Sequence, residues 1–178
     1  MILNETQTIS SMRTMETEFL SSLEKHKGIL HKVARMYMDG EADCEDLRQE
    51  IIIQLWKSYQ TYKGESAFST WMYRVPINTA ITFFKKKKKL VTTFSPEVFP
   101  EQEVEEYDSS KDKQMELFYK AVHQLKPIEK AIIFYLLEGL SYREIGKNLG
   151  ISEGNARVKL NRTKEKLQML LKNKDYEF

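Results

Sequence analysis

Two glycines and two serines punctuate the stretch GLSYREIGKNLGISEGNARVKLNRTKEKL, Gly139 to Leu167, and leave it one economical arrangement. Gly139 can take the left-handed backbone that ends a helix. Ser141 then caps the next helix, and Glu144, three residues on, completes a capping box. Ile145 and Leu149 are four apart and share that helix's buried face. Gly150 permits a tight turn, Ser152 caps a second helix, and Ala156 and Leu160 repeat the four-residue spacing. Glu153, Asn155, Arg157, Lys159, Asn161, Arg162, Lys164 and Lys166 are left facing outward. Amides and guanidinium groups of this kind contact base edges and phosphates. Two helices joined by a glycine-containing turn set the second helix into the major groove. A surface helix pair with ordinary solvated charges would not need caps, turn and apolar spacing to agree.

The rest of the composition suits a soluble, mostly helical protein. Hydrophobic residues make up 41% and charged residues 30% of the 178, with few glycines and prolines to interrupt helices. No run of eighteen apolar residues reads as a membrane span, and MILNETQTISSMRT lacks the basic start and apolar core of a secretion signal. Cys44 is the single cysteine, which excludes an internal disulfide or a cysteine metal cluster. These features point to the cytoplasm, with no direct membrane contact. The net charge of +2 conceals a block pattern. Lys85 to Lys89 is five lysines in a row; Glu97, Glu101, Glu103, Glu105, Glu106, Asp108 and Asp112 follow against Lys111 alone; the C-terminal helix is basic again. Basic, acidic, basic suggests two nucleic-acid-facing modules and an acidic connector.

The expected organisation is all-α: a frayed polar tail over residues 1–15, a helical domain over 16–89, an acidic flexible linker over 90–112, and a helix-turn-helix domain over 113–178. In the first domain Phe19, Leu23, Leu30, Val33, Ala34 and Tyr37 fit a helical face that breaks near Asp39 and Gly40. Asp46 to Tyr59 is a strong helix with Leu47, Ile51 and Leu55 as its core stripe. A turn follows at Tyr62, Lys63 and Gly64, then a helix from about Ser66 or Ser69 to the lysine run. Pro96 and Pro100 mark the linker. Beyond it, Met115 to Leu125 reads as a helix, and another starts at Pro127, a favourable first helical residue, and ends at Gly139.

The helix after Gly64 carries a second pattern. In AFSTWMYRVPINTAITFFKKKKK, Trp71, Arg74, Asn78, Thr82 and Lys85 share one face, and Met72, Val75, Thr79 and Phe83 share the opposite, core-like face. An aromatic, a guanidinium, an amide and lysines along one stripe can stack on an unpaired base and hold phosphates. Pro76 inside this helix removes the hydrogen bond to Met72, at about 3 kcal/mol or more. A kink there, or a helix that stops at Val75 and restarts, is expected.

Taken together, DCEDLRQEIIIQLWKSY (Asp43 to Tyr59), YKGESAFSTWMYRVPINTAI (Tyr62 to Ile81) and LKPIEKAIIFYLLEGLSYREIGKNLGISEGNARVKLNRTKEKL (Leu125 to Leu167) resemble the bacterial RNA polymerase sigma factors of the extracytoplasmic-function group. The resemblance covers nearly all of Phe19 to Leu167, and three segments in this order are far more specific than a helix-turn-helix alone. It implies an N-terminal domain (region 2) that binds polymerase and the minus-10 promoter element, and a C-terminal domain (region 4) that binds the minus-35 element. The Asp46 helix resembles the family's clamp-binding helix, with Asp46, Gln49, Glu50, Ile53 and Trp56 facing away from the core. The implied partners are core RNA polymerase, through the coiled coil of the largest subunit's clamp and through the flap, and promoter DNA. An anti-sigma factor is the family's usual regulator.

By the same resemblance, Tyr62, Lys63, Ser66, Ala67 and Phe68 form a loop that captures a flipped minus-10 base. Trp71, Arg74 and Asn78 stand at the junction of duplex and melted DNA, and Lys85 and Lys86 hold nearby phosphates. Extruding a base takes a few kcal/mol, and stacking on an aromatic returns roughly 1–3 kcal/mol, so trapping can melt DNA without ATP. Glu153, Asn155, Arg157, Val158, Lys159, Asn161 and Arg162 face the minus-35 element. The linker resembles a segment that threads past the polymerase active site, where its acids could imitate nucleic acid; a merely solubilising role fits the same residues.

No catalytic constellation accompanies these features. His26, His31 and His123 do not fall at metal-ligand spacings, no glycine-rich phosphate loop occurs, and Cys44 has no paired histidine near it in sequence. No enzymatic activity and no cofactor is expected. The rival reading is a stand-alone helix-turn-helix regulator dimerising through its N-terminal module. Such a regulator has no need of the Trp71 stripe or of a second apolar face on the Asp46 helix. A sigma-like protein that has lost transcription activity is a third reading, suggested by Pro76.

Overall fold

A computed structural model describes residues 2–60, 68–93 and 110–174. Among the described residues the regular structure is helical throughout: α1 Ile2–Tyr37, α2 Glu41–Tyr59, α3 Phe68–Thr93, α4 Ser110–His123, α5 Pro127–Leu137, α6 Tyr142–Leu149 and α7 Glu153–Lys174. The first three helices pack together, as do the last four, giving the two all-α domains expected.

Boundaries differ from the sequence expectation in three places. Residues 2–15 continue α1 instead of fraying. Nothing between Met1 and Lys27 is glycine or proline, so a helix anchored by its C-terminal half can propagate outward without a breaker. The expected linker is shorter, because α3 runs on to Thr93 and α4 starts at Ser110. Residues 94–109, most of the acidic connector, lie outside the described residues. The third concerns Pro76: of the kink or the stop and restart expected there, the stop does not occur, and α3 runs through the proline.

In the N-terminal domain Leu47, Ile51 and Leu55 are fully buried, as their spacing requires. They join Leu30, Val33, Ala34 and Tyr37 of α1 and Met72, Ile77 and Ala80 of α3 in one core. The buried face of α3 is therefore Met72, Pro76, Ile77 and Ala80, while Val75, Thr79 and Phe83 are only half-buried. Packing explains both corrections. The missing Pro76 bond takes about 3 kcal/mol. Burying Met72 and Ile77 returns about 1.5–3 kcal/mol each, enough to hold the helix through the proline. The Thr79 hydroxyl also donates to the Val75 carbonyl at 2.9 Å, one residue from the site of the lost bond.

The two domains dock on each other along α5. Lys130, Phe134 and Glu138 follow at four-residue steps and face the N-terminal domain. The Lys130 ammonium lies 5.0 Å from the centre of the Phe84 ring and 5.5 Å from that of Tyr37. Phe134 meets Tyr73 edge-on at 6.0 Å, and Glu138 accepts from Lys32 at 2.7 Å. Beside them the Tyr37 hydroxyl donates to the Pro127 carbonyl at 2.7 Å. His123 of α4 sits between the Arg35 carbonyl and the Asp39 carboxylate, and the Arg35 guanidinium covers the Tyr119 ring at 4.4 Å.

Lys130 is 1% exposed, and among the described residues no carboxylate reaches ion-pair distance of it. Burial pulls its ammonium down to about 8, only partly opposed by the more distant Asp39. Between that value and the ordinary 10.5, the unfolded chain binds a proton that the folded chain does not. Stability should therefore rise with pH across the window 8–10, by up to about 1.4 kcal/mol per pH unit. Urea unfolding of the whole chain at pH 8 and pH 9.5 should show this rise, and Lys130→Met should abolish it.

Candidate nucleic-acid interface

The punctuation of the C-terminal pair is realised as read. Gly139 and Gly150 both have left-handed backbones, with φ of 77° and 68°. The Ser141 hydroxyl accepts from the Glu144 amide at 3.3 Å, and the Glu144 carboxylate accepts from the Ser141 amide at 2.8 Å. The Ser141 hydroxyl donating to the Glu144 carboxylate at 2.6 Å, together with the Ser141 amide, holds that carboxyl below its ordinary range. Ser152 caps α7 by accepting from the Asn155 amide at 3.3 Å. Ile145, Ala156 and Leu160 are buried, and Leu149 is half-buried.

With α6 and α7 fixed in this way, one face of α7 is offered to solvent. Glu153, Asn155, Arg157, Lys159, Asn161, Arg162 and Lys164 are exposed, and Val158 is 48% exposed. Lys166 departs from the expectation. It is part-buried and ion-paired with Glu129 of α5 at 2.7 Å, so it braces α7 instead of facing outward. Thr163 is buried as well, its hydroxyl donating to the Lys159 carbonyl at 2.8 Å.

Two residues of this site were not singled out from the sequence. The Arg157 guanidinium lies 5.0 Å from the centre of the Tyr142 ring, a stack that pre-orients it. Tyr142 follows a cap serine, and its role could be seen only once α6 and α7 were set side by side. Gly146 sits where the chain returns after the turn. A Cβ built there would lie 2.7 Å from the Ile151 carbonyl oxygen, backbone against which nothing can yield cheaply. An i, i+4 glycine within an otherwise good helix, Gly146 before Gly150, was the available signal.

In the N-terminal domain, Arg74, Asn78, Thr82, Lys85 and Lys86 are all exposed, so the stripe survives the proline. Trp71 is half-buried, its ring 5.2 Å from Phe68 and 6.0 Å from Tyr59. It belongs to an aromatic cluster that continues through Tyr59 to Phe19 and Trp56. Of the lysine run, Lys87 is tied to Asp43 of α2. Tyr62, Lys63, Ser66 and Ala67 lie outside the described residues; Phe68, at the start of α3, packs on Trp71 and on His26. A cavity of about 510 Å³ opens beside the ends of α2 and α3, lined by Met15, Glu18, Ser22, Tyr59 and Phe68.

On α2, Asp46, Gln49 and Ile53 are exposed, Ile53 by 46%, and Glu50 is half-buried. Trp56 corrects the expectation of a face without an internal partner: its ring stacks at 5.0 Å on Phe19. Among the described residues no group of three or more histidines, cysteines or acids is placed to hold a metal ion, and no helix is long and apolar enough to cross a membrane.

Gly146→Ala should loosen the α6–α7 pair by about 1–3 kcal/mol, the range for a forced overpacking, read as a lower urea midpoint for the C-terminal domain. Tyr142→Ala, at a half-buried position, should leave the stability read from that midpoint within about 1 kcal/mol of the wild type.

Comparison with known proteins agrees with this geometry. Residues 23–90 match the model of Sigma-70 region 2, and residues 115–167 match that of Sigma-70 region 4. An ECF RNA polymerase sigma factor, SigE of Mycolicibacterium smegmatis, is 26% identical over 154 residues, spanning 82% of this chain and 58% of that protein. The ECF RNA polymerase sigma-E factor of Escherichia coli K12 is 25% identical over 150 residues, 76% of this chain and 78% of the relative. Among solved structures, the sigma factor RpoE in complex with the anti-sigma factor NepR, from Bartonella quintana, shares the fold with a TM-score of 0.67 at 20% identity, over 87% of this chain and 97% of that one. CnrH in complex with the cytosolic domain of CnrY gives a TM-score of 0.64 at 17% identity, over 89% of this chain and 90% of that one. Both halves of the chain match in the order that the fold displays, and the chain belongs to the sigma-70 family, in its extracytoplasmic-function group of RNA polymerase sigma factors.

Proposed function

We propose that this chain recruits core RNA polymerase to a set of promoters, reads their minus-35 element with α7 and melts their minus-10 element with α3. The observation that carries the reading is the co-occurrence, in one chain, of an exposed base-reading face on α7 and an exposed Arg74–Asn78–Thr82–Lys85 stripe beside an aromatic cluster on α3. A stand-alone regulator requires only the first.

In this reading the C-terminal domain engages duplex DNA. Arg157, held by Tyr142, is the base or backbone contact, Lys159 and Arg162 bind phosphates, and Val158 offers an apolar contact to a thymine methyl. Glu153, Asn155 and Asn161 complete the reading face. The N-terminal domain engages melted DNA. Trp71 and Arg74 stand at the edge of the duplex, Asn78 along the displaced strand, and Lys85 and Lys86 at phosphates. Tyr62, Lys63, Ser66, Ala67 and Phe68 are assigned to capture of the flipped base; Tyr59 and Phe68, which flank this segment in sequence, line one cavity. Asp46, Gln49, Glu50 and Ile53 dock on the polymerase clamp, with Trp56 supporting the patch from behind, and region 4 meets the flap. The protein works in the cytoplasm, carries out no catalysis of its own and needs no cofactor, and an anti-sigma factor is the kind of regulator its family implies.

Run-off transcription with purified bacterial core polymerase, on promoters from upstream of the protein's own gene, tests the reading. Promoter-specific transcripts are expected with the wild type. Arg157→Ala should reduce them by roughly 5- to 150-fold, the reach of a lost 1–3 kcal/mol contact. Trp71→Ala should do the same, with a separate loss of stability because its ring is also core. Tight binding of the same DNA by the protein alone, without transcripts, would favour the stand-alone regulator.

A further inference from the structure

The first half of α1 supplies one wall of the cavity beside α2 and α3. Thr14, Glu18 and Ser22 follow at four-residue steps and so share a helix face, with Met15 next to them. All four line the cavity, opposite Tyr59 and Phe68. They precede residue 23, where the match to Sigma-70 region 2 begins. The wall exists because α1 continues back to Ile2; a frayed tail over residues 1–15 would take Thr14 and Met15 out of it. We propose that Glu18, on this segment outside the family match, is a specificity-determining residue: it makes the cavity accept an unpaired DNA base that carries an exocyclic amino group and reject thymine. That the occupant is a base of the melted strand rests on the promoter reading above.

The aromatic side of the cavity can hold any base. Tyr59 and Phe68 offer ring faces, and stacking on them is tolerant of base identity. Both rings are fixed in advance. Phe68 lies 5.2 Å from Trp71 and 5.5 Å from His26, and Tyr59 lies 5.3 Å from Phe19 and 6.0 Å from Trp71. The His26 contact also ties the start of α3 to α1, one turn beyond Ser22. The volume of about 510 Å³ falls within the range of about 300–1,000 Å³ usual for small-ligand sites.

Selection comes from the α1 side. Glu18 is exposed, and it forms no ion pair among the described residues. An ionised carboxylate accepts hydrogen bonds and donates none, so what it prefers is an N–H group. Cytosine, adenine and guanine each carry an amino group that donates to it, as glutamate accepts from cytosine in duplex readout. Thymine presents carbonyl oxygens in place of an amino group, and a carboxylate repels them. The hydroxyls of Thr14 and Ser22 can donate or accept, so they serve the remaining polar atoms of a base without choosing between bases. A carboxylate beside DNA also repels phosphate, which favours an occupant that enters base first.

Fluorescence anisotropy on the full chain at low salt, without polymerase, tests the pocket. The probes are labelled single strands of five nucleotides, thymine throughout except for a central thymine, cytosine, adenine or guanine. The wild type should bind the strands with a central amino base about 5-fold or more tightly than the all-thymine strand, the low end of what one good base contact discriminates. Glu18→Gln keeps the side chain's length at an exposed position and adds an amide donor for thymine O4, so it should bring all four strands to within about 2-fold of one another. A wild type that binds no strand or binds all four alike overturns the inference, and so does a Glu18→Gln variant with the preference intact. Failure here would leave run-off transcription untouched. Absent transcripts with the preference present would sink the promoter reading and leave the pocket standing.

Discussion

Everything in this fold hangs on a short helix that is buried on every side along its middle. Within α5, Lys130 to Tyr135 are six consecutive buried residues. A helix of this kind cannot lie on a surface; it must be covered on every side. One side is taken by α6 and α7, which places the recognition helix and lets Glu129 brace Lys166. The other is taken by α1 and α3, through Tyr37, Tyr73 and Phe84. The positions of α3 and α7 therefore both depend on the same eleven residues.

Much of this was legible in the sequence, for local reasons. Caps and left-handed glycines act within four residues, so α6, its turn and the start of α7 could be read directly from Ser141, Glu144, Gly150 and Ser152. The Leu47, Ile51, Leu55 stripe was equally plain, because one helix face decides it. What escaped depends on residues far apart in the chain. Trp56 looked free on its helix but is met by Phe19, 37 positions earlier. Lys166 looked outward but is met by Glu129, also 37 positions away. Pro76 suggested a kinked or broken helix because its penalty is local, whereas the burial of Met72 and Ile77 that keeps the helix unbroken is tertiary. Periodicity marked the core face of α3 about one residue out of phase for the same reason: the neighbours of α1 and α2 choose which side is covered.

The candidate site shows a similar division. The exposed cations and amides of α7 were legible as a list, but not the Tyr142 stack that orients Arg157. Similarly, the α3 stripe could be read as a stripe, yet Trp71 belongs half to the core and half to the surface. Under the proposed function, in which Trp71 holds an unpaired base, that double membership is a physical asset. A ring fixed by Phe68 and Tyr59 has already lost its freedom before DNA arrives, so stacking need not supply that ordering.

The central claim is that α3, placed by polymerase, traps bases that α7 alone could never melt. The most direct measurement places 2-aminopurine, whose fluorescence rises on unstacking, within the minus-10 element of a responsive promoter. A rise that needs both this protein and core polymerase, requires no nucleoside triphosphate and is lost in Trp71→Ala is the result the account predicts. An unchanged signal in the presence of a stable polymerase–promoter complex would contradict it.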